Sequence, residues 1–251
     1  MIIVNTSIFR LIGQKKNTQL VNTMSRNKIE ESLRSEKKMS IIQCAIGVFA
    51  EKGFYSAKMQ DIAEAAMIGK GTIYEYFTTK EELFLAVYDY WMDDYEMAME
   101  QAVESHLDPV SKADALIDTT VDFYEKHAEY ASILLEFWAH ALRSKDDHFL
   151  DRIRSMKKKL ELIGKEVTQQ MQKLKLFKSV DSASFSVLEL GISDGIFLQW
   201  ILDGKSYSLR EAYKFRQSVI GSGLMMPALK LLVADKIEKK LKKGFLSSNQ
   251  S

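Results

Sequence analysis

The chain has 251 residues, a formal net charge of +1, and 46% hydrophobic against 27% charged residues. This composition is too apolar for a disordered protein, and the length allows one large domain or two modest ones. One cysteine excludes an internal disulfide framework and favours a reducing compartment, which predicts a cytoplasmic protein. No run of about eighteen apolar residues is present, so neither a membrane span nor a membrane partner is predicted.

The small net charge hides an uneven distribution along the chain. Residues 24–80 carry nine basic and seven acidic residues, whereas residues 81–150 carry four basic and seventeen acidic residues. An acidic segment is repelled by nucleic acid and by anionic membranes. Any contact with nucleic acid is therefore expected before about residue 80.

Residues 1–34 are predicted to form a disordered N-terminal extension. The first 23 residues lack a basic region before their apolar residues, so they do not resemble a signal peptide. Met24 opens a stretch that looks like a natural translation start. The native protein is thus expected either to contain residues 1–23 or to begin at Met24.

Two prolines in the whole chain favour a mostly helical protein. Apolar residues at helical spacing predict a first helix at 35–52, ended by Gly53. A short second helix begins near Met59 and is followed by a turn at 67–69. A third helix is predicted at 70–77, with its apolar residues facing inward.

A long fourth helix is predicted from Thr79 to about His106, with Thr79 and Glu82 at the spacing of a capping box. Pro227 is expected to kink or split the last helix. The predicted fold class is all-α, with a domain of short helices at 35–83, a larger helical domain at 84–243 and a disordered tail at 244–251. The later helices are predicted at 109–127, 129–143, 146–174, 181–203 and 208–242.

Two short helices joined by a tight turn, after a supporting helix, form a helix-turn-helix, whose second helix enters the major groove of DNA. The sequence from Phe49 to Leu83, FAEKGFYSAKMQDIAEAAMIGKGTIYEYFTTKEEL, closely resembles the DNA-binding domain of the TetR (tetracycline repressor) family. The residues that carry the resemblance are Gly53, Phe54, Asp61, Ile62, Ala63, Ala66, Lys70, Gly71, Thr72, Ile73, Tyr74, Tyr76, Phe77, Lys80 and Glu81.

The resemblance assigns roles to individual residues. Lys70 and Gly71 align with positions that touch base edges, and a lysine can donate to guanine. Met67 stands where the family usually has glycine, and Gly69 stands where it usually has a serine or threonine cap. The residues expected to contact phosphates, and so to fix the register on the duplex, are Lys58, Thr72, Tyr74, Tyr76 and Lys80.

The resemblance also implies that the remaining helices bind a small molecule and form a homodimer. An aromatic-rich cavity indicates a hydrophobic effector of unknown identity, although the same residues would also make a well-filled core. The candidate ligand-binding residues are Trp91, Tyr95, Phe123, His127, Leu134, Phe137, Trp138 and Ala141. The candidate dimer-interface residues are Phe185, Leu188, Gly191, Gly195, Phe215 and Val219.

The function expected from these features is that of a homodimeric transcriptional regulator bound to a near-palindromic operator. A repressor released by its effector is favoured, and the alternative is an activator or an effector-independent DNA-binding protein. An enzyme is not predicted, because the four histidines are scattered and no phosphate-binding glycine loop is present. No cofactor and no metal are predicted.

Overall fold

The computed structural model describes residues 6–144 and 147–225, with the side chains of residues 28–144 and 148–225. Within these ranges the regular elements are helical, apart from an isolated β-bridge between Phe177 and Met225. The predicted all-α fold class is confirmed. The helices are α1 (Thr6–Ser56), α2 (Met59–Ala65), α3 (Lys70–Tyr74), α4 (Lys80–Glu104), α5 (Pro109–Lys126), α6 (Ala131–Arg143), α7 (Asp147–Lys173), α8 (Ser182–Leu202) and α9 (Leu209–Leu224), with a 3-10 turn at Ala128–Tyr130.

The chain divides into two compact units, and the boundary falls between Val87 and Tyr88, within α4. The sequence placed this boundary four residues earlier. Helix α9 begins close to the predicted start at residue 208. The predicted kink at Pro227 and the predicted tail at 244–251 lie outside the described residues.

Helix α1 extends through residues 6–34, where the sequence predicted a disordered extension. Side chains 28–40 are exposed, and their contacts include a local bond from Ser32 Oγ to Glu36 Oε1 at 3.3 Å. Gly53 interrupts α1 with a φ of 71°, a left-handed conformation that glycine adopts without steric cost. The predicted stop at Gly53 is therefore confirmed as a break in the helix.

The core of the first unit is formed by the apolar faces of α1, α2, α3 and the beginning of α4. The rings of Phe49 and Phe84 meet edge to face, with centroids 5.1 Å apart, and Phe54 lies 4.4 Å from Phe84. Ile62 of α2 and Ile73 of α3 are completely buried. Full burial of one such side chain contributes about 1.5–3 kcal/mol. This packing fixes α2 and α3 against the end of α1.

Among the residues that the structure describes, one core cluster of the second unit joins α5, α6, α8 and α9, and another joins α4 and α7. The ion pairs of this unit join the same helices, since Arg210 of α9 contacts Asp118 of α5 at 2.6 Å and Arg152 of α7 contacts Asp89 of α4 at 2.7 Å. The first cluster contains Val121, Ala131, Phe197, Trp200, Leu209 and Tyr213, and the second contains Tyr95, Met99 and Met156.

Helix α8 is long and apolar enough, by length and composition, to cross a membrane. Two of its carboxylates have partners within the second unit: Glu189 pairs with Arg216 at 2.7 Å, and Asp194 accepts a hydrogen bond from Tyr124 at 3.0 Å. A charged carboxylate at the centre of a bilayer is costly. These contacts favour a packed helix over a membrane span. The predicted cytoplasmic location stays a prediction.

Candidate nucleic-acid interface and internal cavity

The turn between α2 and α3 is a Schellman motif with Met67 at its left-handed position. The amide of Ile68 donates to the carbonyl of Ala63 at 2.9 Å, and the amide of Met67 donates to that of Glu64 at 3.0 Å. Met67 has a φ of 52°, which costs a residue with a Cβ about 1–2 kcal/mol. Its side chain is 91% exposed. The geometry expected of the family's glycine is therefore kept, at a cost in stability.

Helix α3 begins after Gly69, whose extended backbone (φ −68°, ψ 150°) is the usual conformation of an N-cap. The glycine supplies no side-chain acceptor for the first amides of the helix. The two departures from the family pattern thus leave the course of the backbone intact. They remove one side-chain cap and introduce one strained residue.

One face of α3 is available for contacts outside the chain. Lys70, Gly71 and Tyr74 are exposed, whereas Ile73 and the following Phe77 are buried, as predicted. A Cβ built on Gly71 would meet nothing within 4 Å, so its backbone is open to a close approach. The predicted base-reading pair, Lys70 and Gly71, therefore lies side by side on the exposed face.

The phosphate-contacting role predicted for Lys58 fits its position at the start of α2, where its side chain is exposed. Its amide donates to the carboxylate of Asp61 at 2.9 Å, and the ammonium of Lys52 lies 3.1 Å from the same carboxylate. The amide hydrogen bond and then the Lys52 contact lower the pKa of Asp61. Asp61 therefore fixes the beginning of α2 through the Lys58 amide, and its ion pair is with Lys52.

Arg34 is a basic residue beside α3 that the sequence did not predict. Its Nη2 donates to the carbonyl of Glu75 at 3.4 Å, and its guanidinium carbon lies 5.7 Å from the ring centroid of Tyr76. Tyr76 is half-buried, as is Thr72. The contact joins residues 41 positions apart, so no local spacing in the sequence signals it. Arg34 therefore places a positive charge near the end of α3.

Lys80 has a different environment from the one that its predicted phosphate contact requires. Its ammonium donates to three main-chain carbonyls, those of Phe54 at 2.6 Å, Tyr55 at 3.2 Å and Ala57 at 2.9 Å. It also lies 4.6 Å from the ring centroid of Phe54. An ammonium has three protons, and all three are used within the chain. In this structure Lys80 holds the connection between α1 and α2, rather than offering a free donor to DNA.

The predicted capping box at the start of α4 is present in part. The amide of Glu82 donates to Thr79 Oγ1 at 3.0 Å, as the spacing predicts. The Glu82 carboxylate accepts from the amide and the hydroxyl of Thr78, each at 2.7 Å, instead of from the amide of Thr79. These bonds, the hydroxyl first, lower the pKa of Glu82.

The residues predicted to bind a ligand lie mainly in the packed interior of the second unit. The ring of Trp91 lies 5.0 Å from that of His127 and 5.8 Å from that of Phe137. Of the eight, Tyr95 lines the cavity described next. The buried members are Trp91, Tyr95, His127, Phe137 and Ala141, while Phe123 and Leu134 are half-buried and Trp138 is exposed.

A cavity of about 890 Å³ lies between α4, α5, α7, α8 and α9. This volume is in the range of natural small-molecule sites. Its polar lining includes an ion pair between Glu189 and Arg216, which the sequence did not nominate. The sequence does contain one signal for this ion pair, since Glu189 lies inside the largely apolar run SFSVLELGISDG. The apolar wall includes Met99, Leu116, Ile117, Val167, Met171 and Leu190.

Of the predicted dimer-interface residues, three are exposed on one face of α8 (Leu188, Gly191 and Gly195) and two on α9 (Phe215 and Val219). Phe185 of α8 is half-buried and lines the cavity. Gly191 and Gly195 are exposed, and a Cβ built on either would meet nothing within 4 Å. Neither glycine is therefore required by contacts within the described chain. The large apolar members of this face are Leu188, Phe215 and Val219, exposed by 54%, 71% and 52%.

Comparison with known proteins identifies the first unit. Residues 41–87 match the family described as bacterial regulatory proteins, tetR family. The transcriptional activator FasR of Mycolicibacterium smegmatis is 28% identical over 103 residues, which cover 41% of this chain and 47% of FasR. The chain thus spans about half the length of this relative. The transcriptional repressor KstR2 of Rhodococcus jostii is 22% identical over 198 residues, which cover 79% of this chain and 96% of KstR2.

Solved structures match the fold over most of the described chain. A TetR transcription regulator from Haloarcula marismortui gives a TM-score of 0.68 at 20% identity, covering 76% of this chain and all of that one. The regulator FadR from Bacillus subtilis, solved with stearoyl-CoA, gives a TM-score of 0.60 at 21% identity, covering 74% and 98%. At these identities the likeness concerns the fold. The match at residues 41–87, with the geometry of α2 and α3, places this segment of the chain in the tetR family of regulatory proteins.

Proposed function

We propose that the protein is a homodimeric transcriptional regulator that binds a near-palindromic operator through α3. The observation that carries the proposal is the exposed face of α3, where Lys70, Gly71 and Tyr74 lie beside each other after the Schellman turn. A major groove about 12 Å wide admits one such helix. Phosphate contacts from Lys58 and from the hydroxyls of α3 would then fix its register.

The proposed dimer forms through the exposed apolar face of α8 and α9. Leu188, Gly191 and Gly195 lie at spacings of three and four residues along α8, which places them on one stripe. Two glycines on the stripe allow a close approach by a second helix. A two-fold dimer presents two recognition helices to half-sites about 34–36 Å apart, which is why the operator is expected to be nearly palindromic.

The second unit is proposed to bind a small effector in its cavity of about 890 Å³. FadR of Bacillus subtilis was solved with stearoyl-CoA, and AibR was solved with isovaleryl coenzyme A and operator DNA. These neighbours support a ligand-responsive regulator. An effector that prefers the conformation with the lower DNA affinity would release the operator, and the two affinities must be linked reciprocally.

Activation is the second candidate, since FasR of Mycolicibacterium smegmatis is a transcriptional activator. A repressor and an activator can share the same DNA-binding domain and differ in where the operator lies relative to the promoter. The position of the operator therefore separates the two. Repression is favoured when the operator overlaps the promoter, and activation when it lies upstream.

Capture of genomic DNA fragments by the purified protein tests the proposal. We expect enrichment of a short sequence with two-fold symmetry, and two protein chains per duplex in sedimentation of the complex. Transcription in vitro from the captured promoter then shows the direction of control. Enrichment without a shared sequence, or one chain per duplex, would contradict the proposed dimeric regulator.

A further inference from the structure

The cavity contains an ion pair whose hydrogen-bonding capacity is only partly used. Arg216 of α9 is 8% exposed, and its Nη2 lies 2.7 Å from Glu189 Oε2 on α8. Arg216 Nη1 donates to Ser193 Oγ at 2.8 Å. Within the part of the chain that the structure describes, Arg216 Nε and Glu189 Oε1 are buried and have no hydrogen-bond partner.

These two atoms belong to the two partners of one ion pair, so an unused donor and an unused acceptor lie close together. Leaving buried polar atoms unpaired is unfavourable, and native proteins rarely do so. Both Arg216 and Glu189 line the cavity, which is large enough to admit another molecule. A group that accepts from Nε and donates to Oε1 would satisfy both atoms.

The charges around the pair limit the choice of that group. The charge of Arg216 is already balanced by Glu189, and Asp194 adds a further carboxyl group to the lining. The other charged residues of the lining have partners of their own, since Lys214 pairs with Glu211 and Asp114 accepts from Gln217. Burial raises the pKa of both carboxyl groups, against the opposing effect of Arg216 on Glu189 and of the Tyr124 hydroxyl on Asp194. An anionic head group would meet two acidic residues, and a cationic one would meet the Arg216 guanidinium.

We infer that the cavity binds an amphipathic molecule with an apolar body and an uncharged head, an amide or an alcohol, held between Arg216 Nε and Glu189 Oε1. The apolar wall accommodates the body, and the unused donor and acceptor select the head. This inference rests on the proposed function, because it names the ligand class of the proposed effector site. It also distinguishes this cavity from a site for free carboxylates.

Calorimetric titration of the full chain with three probes of equal chain length tests the inference. The probes are dodecanamide, dodecanoate and dodecylammonium, with the amide kept below its solubility limit and the two charged probes below the concentration at which they form micelles. We expect the amide to bind at least about tenfold more tightly than either charged probe, a difference of about 1.4 kcal/mol. Equal affinities, tighter binding of a charged probe, or binding of none of the three would overturn the inference.

Two conservative substitutions separate the donor from the acceptor. Arg216→Lys keeps the positive charge beside Glu189 but removes Nε, so binding of dodecanamide should weaken by about tenfold. Glu189→Gln keeps an oxygen acceptor but removes the negative charge, so binding of dodecanoate should strengthen by about tenfold. Unchanged affinities in both variants would contradict the assignment of the head group to this pair.

The matched control is Arg210→Lys, on the same helix as Arg216. Arg210 pairs with Asp118 and Asp122 and does not line the cavity. Its substitution should leave all three affinities unchanged, and circular dichroism with urea unfolding shows whether each variant is folded. An equal loss in this control would mean that the Arg216 result reports general destabilisation, and would overturn the specific role of Nε.

The titrations contain no DNA, so their outcome is independent of operator binding. If dodecanamide binds selectively but the protein captures no specific DNA, the proposed function fails and the ligand class stands. If the protein recognises a specific operator and the probes bind without selectivity, the ligand class alone fails.

Discussion

The ammonium of Lys80 lies 2.6 Å from the carbonyl oxygen of Phe54 and 4.6 Å from the centroid of the same residue's ring. Phe54 follows the break in α1 at Gly53, and Lys80 is the first residue of α4. The pair therefore joins the end of α1 to the beginning of α4, on either side of the helix-turn-helix. The ammonium donates two further hydrogen bonds, to the main-chain carbonyls of Tyr55 and Ala57.

Replacing Lys80 should therefore affect stability before it affects DNA recognition. We expect Lys80→Met to lower the free energy of unfolding by about 2–3 kcal/mol, because charge-assisted hydrogen bonds to three carbonyls are lost. Urea unfolding of the full chain measures this loss. Lys58→Met, whose ammonium is exposed, serves as the control and should change stability by less than about 0.5 kcal/mol. Unchanged stability with weaker DNA binding would instead restore the phosphate contact for Lys80.

Met67 offers a stabilising substitution. Met67→Gly should raise the free energy of unfolding by about 1 kcal/mol, because glycine adopts the observed φ of 52° without strain. Thermal or urea unfolding measures the gain. Met67→Ala keeps the Cβ and should therefore raise the free energy of unfolding only slightly. Equal effects of the two substitutions would show that Met67 is not strained in this turn.

The carboxylate of Asp61 should make stability depend on acid pH. Its pKa is lowered in the folded chain by the Lys58 amide and by Lys52. A carboxylate with a lowered pKa stabilises the fold above its unfolded value, near 3.8, and this contribution is lost as the pH falls through the folded value. Asp61→Asn should therefore flatten the decline in stability below about pH 4, measured by urea unfolding at a series of pH values.

Glu64→Gln is the control for this effect, since Glu64 lies on the same helix and its carboxylate accepts from the Gln60 side chain. It should leave the acid dependence close to that of the unmodified chain. The role given to Asp61 would be contradicted if the two variants showed the same pH profile.

The proposed dimer can be tested at a glycine that the described chain does not need. A Cβ at Gly191 meets nothing within 4 Å, and leucine has a better helix propensity by nearly 1 kcal/mol. Gly191→Leu should thus preserve or raise the stability of the monomer while shifting the equilibrium toward monomers, measured by analytical ultracentrifugation. Gly47→Leu, at another glycine with the same open surroundings, should leave the association unchanged. A dimer that persists in Gly191→Leu would place the interface elsewhere.

The helix-turn-helix was predictable because its signals are local. Spacing identifies α2, the turn and α3, and it also identifies Ile73 and Phe77 as inward-facing. The environment of Lys80 was not predictable, since its three acceptors lie 23–26 residues earlier in the chain and are main-chain atoms. Arg34 was missed for the same reason, because its partner lies 41 residues away.

The cavity shows a different limit of sequence interpretation. Periodicity indicates which residues face inward, but it does not distinguish a filled interior from an open one. Trp91 and Phe137 face inward and pack against each other, whereas the open volume lies beside Glu189 and Arg216. The extension of α1 through residues 6–34 was missed, because residues 6–23 include poor helix formers such as Gly13, Asn17 and Asn22 and give no local signal for a helix.

Footprinting of a captured operator at physiological salt, with the unmodified protein and with Lys70→Ala, tests the DNA-reading role of α3 most directly. We expect the unmodified protein to protect a near-palindromic site, and Lys70→Ala to bind that site about 1–3 kcal/mol more weakly while its nonspecific affinity changes little. Protection without a defined site, or an equal loss of specific and nonspecific binding in Lys70→Ala, would contradict recognition of DNA bases by α3.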